Sequence, residues 1–184
     1  IERIDLKDIK ISKQLNFRIK LLGISEMING ELFERVHPCL VSKDSYIGNV
    51  NGVMNVVISK GSPVGESVMQ GEGAGPGPTS SALMSDLLSI LRGNIKFPFG
   101  LRNSKRKDPK VFNFDNYVNS LYLRFEVKDK PGVLAHITKK LASKKISVER
   151  LIQIPDYKNK TASIIIITHK TKEFDAQFCI RNLA

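Results

Sequence analysis

The sequence has few of the residues that mark secreted, membrane-spanning or metal-binding proteins. Among its 184 residues there are two cysteines and no tryptophan. Cys39 and Cys179 lie far apart and follow no metal or redox spacing, so we expect two buried thiols in a reducing cytosol. No apolar run approaches the roughly 18–20 residues that a transmembrane helix needs. The N-terminus, IERIDLKDIK, is charged and does not resemble a signal peptide, so we expect a cytoplasmic protein with no membrane partner.

Acidic residues are also scarce, and this scarcity raises the question of a nucleic-acid partner. There are 18 Asp and Glu residues against 29 Lys and Arg, which gives a net charge of +11. However, the lysines are spread over the whole chain, and no aromatic residues interleave with them to stack on bases. The one dense cluster lies in an apparent linker and comprises Arg102, Lys105, Arg106, Lys107 and Lys110. We interpret these charges as solvated faces and expect no nucleic-acid partner.

The chain contains two patterned regions separated by a stretch without a helical or strand period. Residues 94–118 carry two prolines, a basic run and several asparagines, which predicts a linker. The first region is therefore residues 1–93 and the second is residues 119–184. The hydrophobic fraction of 41% is sufficient for buried cores. Strands joined by short turns, followed by helices, predict an α+β fold with mostly antiparallel sheet.

The first region reads as a short helix followed by strands and one longer helix. The predicted elements are a helix at Asp8–Leu15 and strands at Ile19–Ser25, Glu31–Ser42, Val53–Ser59 and Val64–Gln70. Short turns between the strands predict an antiparallel meander. The glycine-rich turn GEGAGPGPT precedes the last helix, for which Thr79 or Ser80 is the predicted cap. Leucines recur at spacings of three and four until Gly93, which predicts an apolar stripe on this helix.

The second region has the order β-α-β-β-α. LYLRFEVKD alternates as a half-buried strand, and KPGVLAHITKKLASKK has the period of a helix. ISVERLIQIP and TASIIIITHK read as strands, and KEFDAQFCIRNL reads as a second helix. This order, with KDKPGVLAHITKKLASKKISVERLIQ, resembles an ACT domain, a ferredoxin-like βαββαβ module that senses amino acids. The resemblance implies such a fold, here lacking its last strand.

In ACT domains the loop after the first strand and the start of the first helix form half of a small-ligand site. Gly132 allows close approach of the backbone. The N–H groups of Gly132, Val133 and Leu134 could hold a carboxylate at the helix N-terminus. Asp129 could hold an ammonium group or cap the helix, and for this residue we place the cap ahead. The resemblance therefore implies an effector site at Asp129, Gly132, Val133 and Leu134.

The first region resembles the C-terminal part of the catalytic region of homoserine dehydrogenase. The matching motifs are I-K-L-L-G-I, H-P-x-L-V, V-N-G-V-x-N-V-V and G-x-G-A-G-x-x-P-T-x-S-A. The resemblance implies reduction of aspartate semialdehyde to homoserine with NADH or NADPH, and threonine as feedback effector. It also implies cofactor contacts at Gly73, Gly75 and Thr79, with Gly75 closest to the ligand. A homo-oligomer, either a dimer or a tetramer, is expected.

The resemblance also implies which parts are absent. In this family the dinucleotide-binding unit, the lysine used in hydride transfer and the acidic residues that hold substrate precede the position of Asp8. We therefore expect no catalytic residue in this chain, no tight cofactor binding by it alone, and a C-terminal piece that is inactive in isolation. The alternative is a stand-alone amino-acid-binding module for regulation or oligomerisation. Cofactor preference and effector identity stay open.

A few other side chains are functional candidates by residue type. His37 and Cys39 lie two residues apart on a predicted strand, but two ligands do not make a zinc site, and we expect no metal. Lys20 matches a family motif and could serve the active cleft, although an ion pair or a tie to a sheet edge is the simpler interpretation. His136 and His169 belong to no recognisable constellation.

Overall fold

The computed structural model describes residues 4–94, 100 and 102–183. The chain divides into two compact units. One comprises Ile1–Ile24 and Glu34–Pro109, and the other comprises Ser25–Phe33 and Lys110–Ala184. Antiparallel strand pairs and helices occur in both units, so the predicted α+β class is confirmed. The boundaries at 93 and 119 stay predictions, and residues 95–99 and 101 of the predicted linker lie outside the described residues.

The elements up to the glycine-rich turn are short helices and two hairpins. In chain order they are α1 (Leu6–Gln14), β1 (Phe17–Ile28), β2 (Glu31–Ser42), α2 (Tyr46–Asn49), β3 (Met54–Gly61) and β4 (Gly65–Glu72). They are followed by α3 (Pro76–Leu91). Helix α1 begins earlier than predicted because Asp5 caps it. The Asp5 carboxylate accepts from the N–H of Asp8, and the Asp8 carboxylate accepts from the N–H of Asp5.

Two features of this part differ from the sequence-based expectation. The predicted meander is replaced by two separate two-stranded sheets, β1–β2 and β3–β4. The connection between them, predicted as turns alone, contains the short helix α2. Ser45 starts this helix, since its hydroxyl accepts from the N–H of Gly48 at 3.0 Å. A Cβ added at Gly48 would lie 2.1 Å from the carbonyl oxygen of Ser42, so only glycine fits there.

The second unit contains a three-stranded sheet with two helices in the predicted order. Its elements are β5 (Val118–Asn119), β6 (Tyr122–Lys128), α4 (Val133–Ser143), β7 (Val148–Asp156), β8 (Thr161–Thr168), β9 (Thr171–Lys172) and α5 (Glu173–Arg181). The strand order is β6-β8-β7, and both pairings are antiparallel. The sequence did not predict the short antiparallel pair β5–β9.

The core of the second unit lies between the sheet and its two helices. Strand β8 is buried at seven of its eight positions, which explains its unbroken run of four isoleucines, since a central strand covered on both faces reads as continuously apolar. The core cluster comprises Ile137, Leu141, Ile146, Ile164, Ile166, Ala176 and Cys179. Helix α4 supplies its share through positions four residues apart, Ile137 and Leu141.

Residues 110–119, predicted to be mostly linker, make ordered contacts with the tip of the β1–β2 hairpin. The N–H of Leu32 donates to the carbonyl of Lys110 at 2.7 Å, and the N–H of Phe112 donates to the carbonyl of Leu32 at 2.9 Å. Phe33 stacks on Tyr117 with ring centroids 3.8 Å apart. The hairpin tip is therefore packed within the second unit.

Among the helices of the described residues, none is long and apolar enough to cross a membrane.

Candidate functional site

The four predicted effector residues line one pocket at the turn between β6 and α4. The pocket has a volume of about 390 Å³. Its lining comprises Val127, Lys128, Asp129, Lys130, Pro131, Gly132, Val133, Leu134, Gln153 and Ile164. Gly132 is the N-cap residue of α4 and has φ of +90°, in the left-handed region that favours glycine. The glycine therefore allows the chain to turn from β6 into α4 and to expose the helix N-terminus to the pocket.

Backbone donors are available at this helix N-terminus. None of the described backbone carbonyls accepts a hydrogen bond from the N–H of Gly132 or Leu134, whereas the N–H of Val133 donates to the carbonyl of Lys130 at a long 3.4 Å. The helix macrodipole places partial positive charge at the same point, and Lys130 adds a full positive charge nearby. The arrangement suits a carboxylate or another small anion.

Asp129 does not cap α4, so the preferred interpretation of this residue was wrong. In the described part of the chain, no side chain makes a capping hydrogen bond to α4. The N–H of Asp129 donates to the carbonyl of Lys160 at 3.0 Å, which fixes the backbone at the end of β6. Its carboxylate instead accepts from Nε2 of Gln153 at 3.4 Å. Because this contact is long, the exposed carboxylate keeps most of its capacity to accept hydrogen bonds from a ligand.

Gln153 is a site residue that the sequence analysis missed. It pairs with Ile164 in the antiparallel ladder of β7 and β8. Its face of β7 also carries Glu149 and Leu151, so no apolar series marks this position in the sequence. Only the tertiary structure brings Gln153 to Asp129.

The first turn of α3, which follows the glycine-rich turn, is poor in backbone donors. Gly75 is the N-cap residue of α3 and has φ of +118°. Pro76 and Pro78 have no N–H group, so Gly77 supplies the only N–H among the first three residues of α3. The predicted caps were wrong, because the N–H of Thr79 donates to the carbonyl of Gly75 at 3.2 Å, and no capping side chain is found among the described residues. The start of α3 therefore lacks the run of N–H groups that cradles a phosphate.

At Gly73 a neighbouring side chain occupies the space that a Cβ would need. A Cβ added there would lie 1.6 Å from Nδ2 of Asn55. A shallow depression of about 550 Å³ lies beside the turn, lined by Glu72, Gly77, Pro78, Ser81, Ala82 and Ser85. Gly73, Gly75 and Thr79 are not in this lining. Their roles stay predictions.

The remaining candidates have structural contacts. The Cys39 Sγ lies 3.3 Å from Nε2 of His37, and burial raises the pKa of the Cys39 thiol although the Arg35 charge opposes this. A protonated thiol is neither a good nucleophile nor a good metal ligand. Among the described residues there is no group of three or more metal-ligating side chains. Lys20 donates to the carbonyl of Val50, which ties β1 to the loop after α2.

Three comparisons with known proteins agree with one another. The homoserine dehydrogenase family model matches residues 1–88, and the ACT domain model matches residues 121–177. A homoserine dehydrogenase of Neisseria gonorrhoeae is 36% identical over 179 residues, which cover 94% of this chain and 41% of the relative. One of Synechocystis is 32% identical over 202 residues, which cover 100% of this chain and 45% of the relative.

A solved structure gives the same result. The crystal structure of a homoserine dehydrogenase from Thiobacillus denitrificans matches with a TM-score of 0.86 at 32% identity, covering 100% of this chain and 42% of that chain. The chain thus spans less than half the length of the relatives it matches. Both parts of the predicted resemblance are confirmed, and the chain belongs to the homoserine dehydrogenase family, of which it carries the C-terminal part together with an ACT domain.

Proposed function

We propose that the ACT domain of this chain binds a free amino acid, threonine, and that it regulates an NAD(P)-dependent homoserine dehydrogenase of which the chain is the C-terminal part. The observation that supports this proposal is the pocket at the β6–α4 turn. It combines exposed N–H groups at a helix start with an exposed carboxylate and an apolar wall. These three features complement the carboxylate, the ammonium group and the side chain of an α-amino acid.

Each part of the ligand has a proposed partner. The N–H groups of Gly132 and Leu134 hold the carboxylate, with assistance from the helix dipole. Asp129 holds the ammonium group through a charge-assisted hydrogen bond. The ligand side chain then faces Val127 and Ile164, which favours a small, partly apolar side chain such as that of threonine.

Calorimetry on this chain tests the carboxylate of Asp129. We expect heat on titration with threonine, and less or none with isoleucine, methionine or lysine. Asp129→Asn should weaken binding about tenfold or more, because a hydrogen bond to a charged group contributes about 1.5–3 kcal/mol. Glu149→Gln is the matched control, since Glu149 is exposed on β7 and does not line the pocket. Equal weakening by both changes would contradict the assignment of Asp129.

A pair of glycine substitutions tests the turn. Gly132→Ala forces a side chain into a left-handed backbone conformation at the pocket, and Gly52→Ala does the same in the turn before β3, which does not line the pocket. Neither Cβ meets a described atom within 4 Å, so both changes should cost about 1 kcal/mol of stability through backbone strain alone. Only Gly132→Ala should reduce threonine binding. Retained binding in Gly132→Ala would exclude the turn as the ligand site.

The dehydrogenase role is also a proposal, in which Gly75 allows the nicotinamide cofactor to approach the backbone. We expect this 184-residue chain alone to show no single-turnover oxidation of NADPH with aspartate semialdehyde, so turnover above background would refute the proposal that it is inactive alone. In a longer protein that includes this chain, Gly75→Ala should weaken cofactor binding. Gly71→Ala, near the end of β4, should not, because a Cβ there would meet no described atom within 4 Å.

A second candidate is an amino-acid-binding module that assembles copies of itself and has no dehydrogenase role. The independent core of the second unit favours it. Sedimentation with and without threonine tests assembly, and a dimer or tetramer is expected under either candidate. The two are distinguished by activity of the longer protein, because the module alone predicts threonine binding with no reduction of aspartate semialdehyde.

A further inference from the structure

The two strands that line the effector pocket lead, at their other ends, to one short strand pair. Val127 of β6 and Ile164 of β8 line the pocket. Strand β5 precedes β6 and strand β9 follows β8, and these two short strands pair with each other. At the junction, the N–H of Leu121 donates to Oγ1 of Thr168 and the N–H of Thr168 donates to the carbonyl of Leu121, each at 3.0 Å. The pocket and the β5–β9 pair are thus opposite ends of one hydrogen-bonded strand pair.

The segment just before β5 holds the tip of the β1–β2 hairpin. Phe33 is only 2% exposed. Besides its stack on Tyr117, its ring lies 6.2 Å from that of Phe114 in a stacked arrangement and 6.1 Å from that of Phe112 in an edge-on arrangement. We name these four residues, Phe33, Phe112, Phe114 and Tyr117, the aromatic clamp. Aromatic pairs of this kind stabilise a contact beyond the burial of their area.

A buried carboxylate joins the aromatic clamp to α5. The N–H of Glu173 donates to the carbonyl of Tyr117 at 2.8 Å. Its carboxylate, in a residue only 3% exposed, accepts from Nδ2 of Asn119 at 3.0 Å and from Nε2 of Gln177 at 2.9 Å. Because both oxygens are satisfied in a buried position, the start of α5, β5 and Tyr117 are held in one arrangement.

Strands β1 and β2 continue without a break from the aromatic clamp towards the loop after α2. On β1, Arg18 donates to the carbonyl of Gly48 at 2.7 Å and Lys20 donates to the carbonyl of Val50. That loop leads directly into β3, and the N–H of Gly73, in the glycine-rich turn, donates to the carbonyl of Val53 at 3.0 Å. Strands β1 and β2 are thus a continuous connection from the hairpin tip to the backbone beside the glycine-rich turn.

We propose that the aromatic clamp couples the effector pocket to the β1–β2 hairpin. Occupation of the pocket shifts the positions of β6 and β8. The β5–β9 pair and Glu173 transmit this shift to Tyr117. Phe33, which stacks on Tyr117, transmits it to the hairpin. Phe33 and Glu173 act here as positioning residues. This inference rests on the proposed amino-acid binding, and allostery of this kind is a coupling free energy that the two sites share.

Hydrogen exchange on the whole chain tests the coupling. We expect saturating threonine to change the exchange rates of amides in residues 17–24 about fivefold or more. Phe33→Ala should abolish this response while heat on threonine titration persists, and Tyr157→Ala, at an 86% exposed tyrosine outside the aromatic clamp, should leave it intact. Heat without a hairpin response in the unmodified chain overturns the coupling, and so does a response that survives Phe33→Ala.

A second measurement needs no effector and separates this inference from the proposed function. The amide of Glu173 reports on the aromatic clamp because it donates to Tyr117. Phe33→Leu keeps an apolar side chain but removes the ring, and it should accelerate exchange of this amide about tenfold through local opening. Tyr157→Leu should not. If threonine gives no heat, amino-acid binding is refuted, and the Glu173 amide still decides whether the aromatic clamp joins the hairpin to α5. Unchanged exchange in Phe33→Leu overturns it.

Discussion

The stretch from β3 to α3 differs sharply in burial from the three-stranded sheet of β6, β8 and β7, which we call the ACT sheet. Across the described residues of β3, β4 and α3, none is buried. Leu83, Leu87 and Leu91, which form the predicted stripe of α3, are 66%, 48% and 72% exposed. Strand β8, in contrast, is buried at seven of eight positions and packs under two helices. Both segments are apolar in sequence, but among the described residues only β8 is buried against other elements.

This difference separates two sources of stability. The ACT sheet gains its stability from burial within the unit, at roughly 25 cal/mol per Å² of apolar surface. An isolated two-stranded hairpin such as β3–β4 is marginal in water, and most helices depend on packing of an apolar face. The stretch from β3 to α3 therefore needs a covering surface to be stable, whereas the ACT sheet does not.

The largest expected effect comes from truncating one leucine in each region. Leu141→Ala should lower the free energy of unfolding by about 2–5 kcal/mol, because it opens a cavity at a core side chain that is 1% exposed. Leu87→Ala is the matched control and should change it by less than about 0.5 kcal/mol. Urea unfolding followed by circular dichroism measures both. A similar loss for Leu87→Ala would show that α3 is buried in solution, and would end the contrast between the regions.

Hydrogen exchange sharpens the same contrast without mutation. The amides of β8 open only with the core, whereas those of β4 are held by one exposed hairpin. We expect exchange from β4 to be about 100-fold faster or more than from β8. Mass spectrometry on the unmodified chain gives both rates in one experiment. Equal protection would mean that the hairpin is covered, for example by a second copy, and a dilution series would then reveal this through loss of protection.

The sequence predicted what depends on local pattern. The alternation in LYLRFEVKD predicted a half-buried strand and the run in TASIIIITHK predicted a strand, and both are present as β6 and β8. The segment DKPG was predicted as the loop between a strand and a helix, and it is that loop, because the left-handed conformation at Gly132 is a local property of the chain. Its role as an effector site stays a prediction. Helix α3 and its apolar stripe were also predicted, but periodicity does not show which surface covers an apolar face.

What the sequence did not predict depends on contacts between distant residues. Phe33 lies in a strand that shows no special pattern, and its partners Phe114 and Tyr117 lie in a stretch predicted as linker. The contact of Gln153 with Asp129 arises from strand pairing in the sheet. The predicted cap of α3 was wrong for a simpler reason. The helix already begins at Pro76, so Thr79 and Ser80 lie about one turn inside it and cannot be its N-cap.

The two cysteines offer one reporter in each region. Cys39 on β2 is half-buried, whereas Cys179 on α5 is 0% exposed and its thiol donates to the carbonyl of Lys140. In a thiol-reagent assay on the folded chain, Cys39 should react about tenfold faster or more than Cys179, which waits for opening of the core. Cys39→Ala and Cys179→Ala assign the two phases. If both thiols react at one rate, the core of the ACT unit opens as readily as β2 does.

The smallest expected effect is a pH dependence carried by the core thiol. Burial raises the pKa of Cys179 above its ordinary value of 9.0, although the charges of Lys140 and Lys144 oppose this. Since the folded thiol keeps its proton where the unfolded thiol has lost it, this contribution to stability is complete below about pH 9 and falls as the pH rises through the folded pKa. The difference in unfolding free energy between the unmodified chain and Cys179→Ala should therefore shrink from about pH 8 to pH 10.5, as urea unfolding under reducing conditions would show.

Ala176→Gly, a core change on the same helix that removes no titrating group, should cost the same at every pH. A constant difference for Cys179→Ala would mean that the thiol is solvated in the folded chain, and the core would then be looser than its burial indicates.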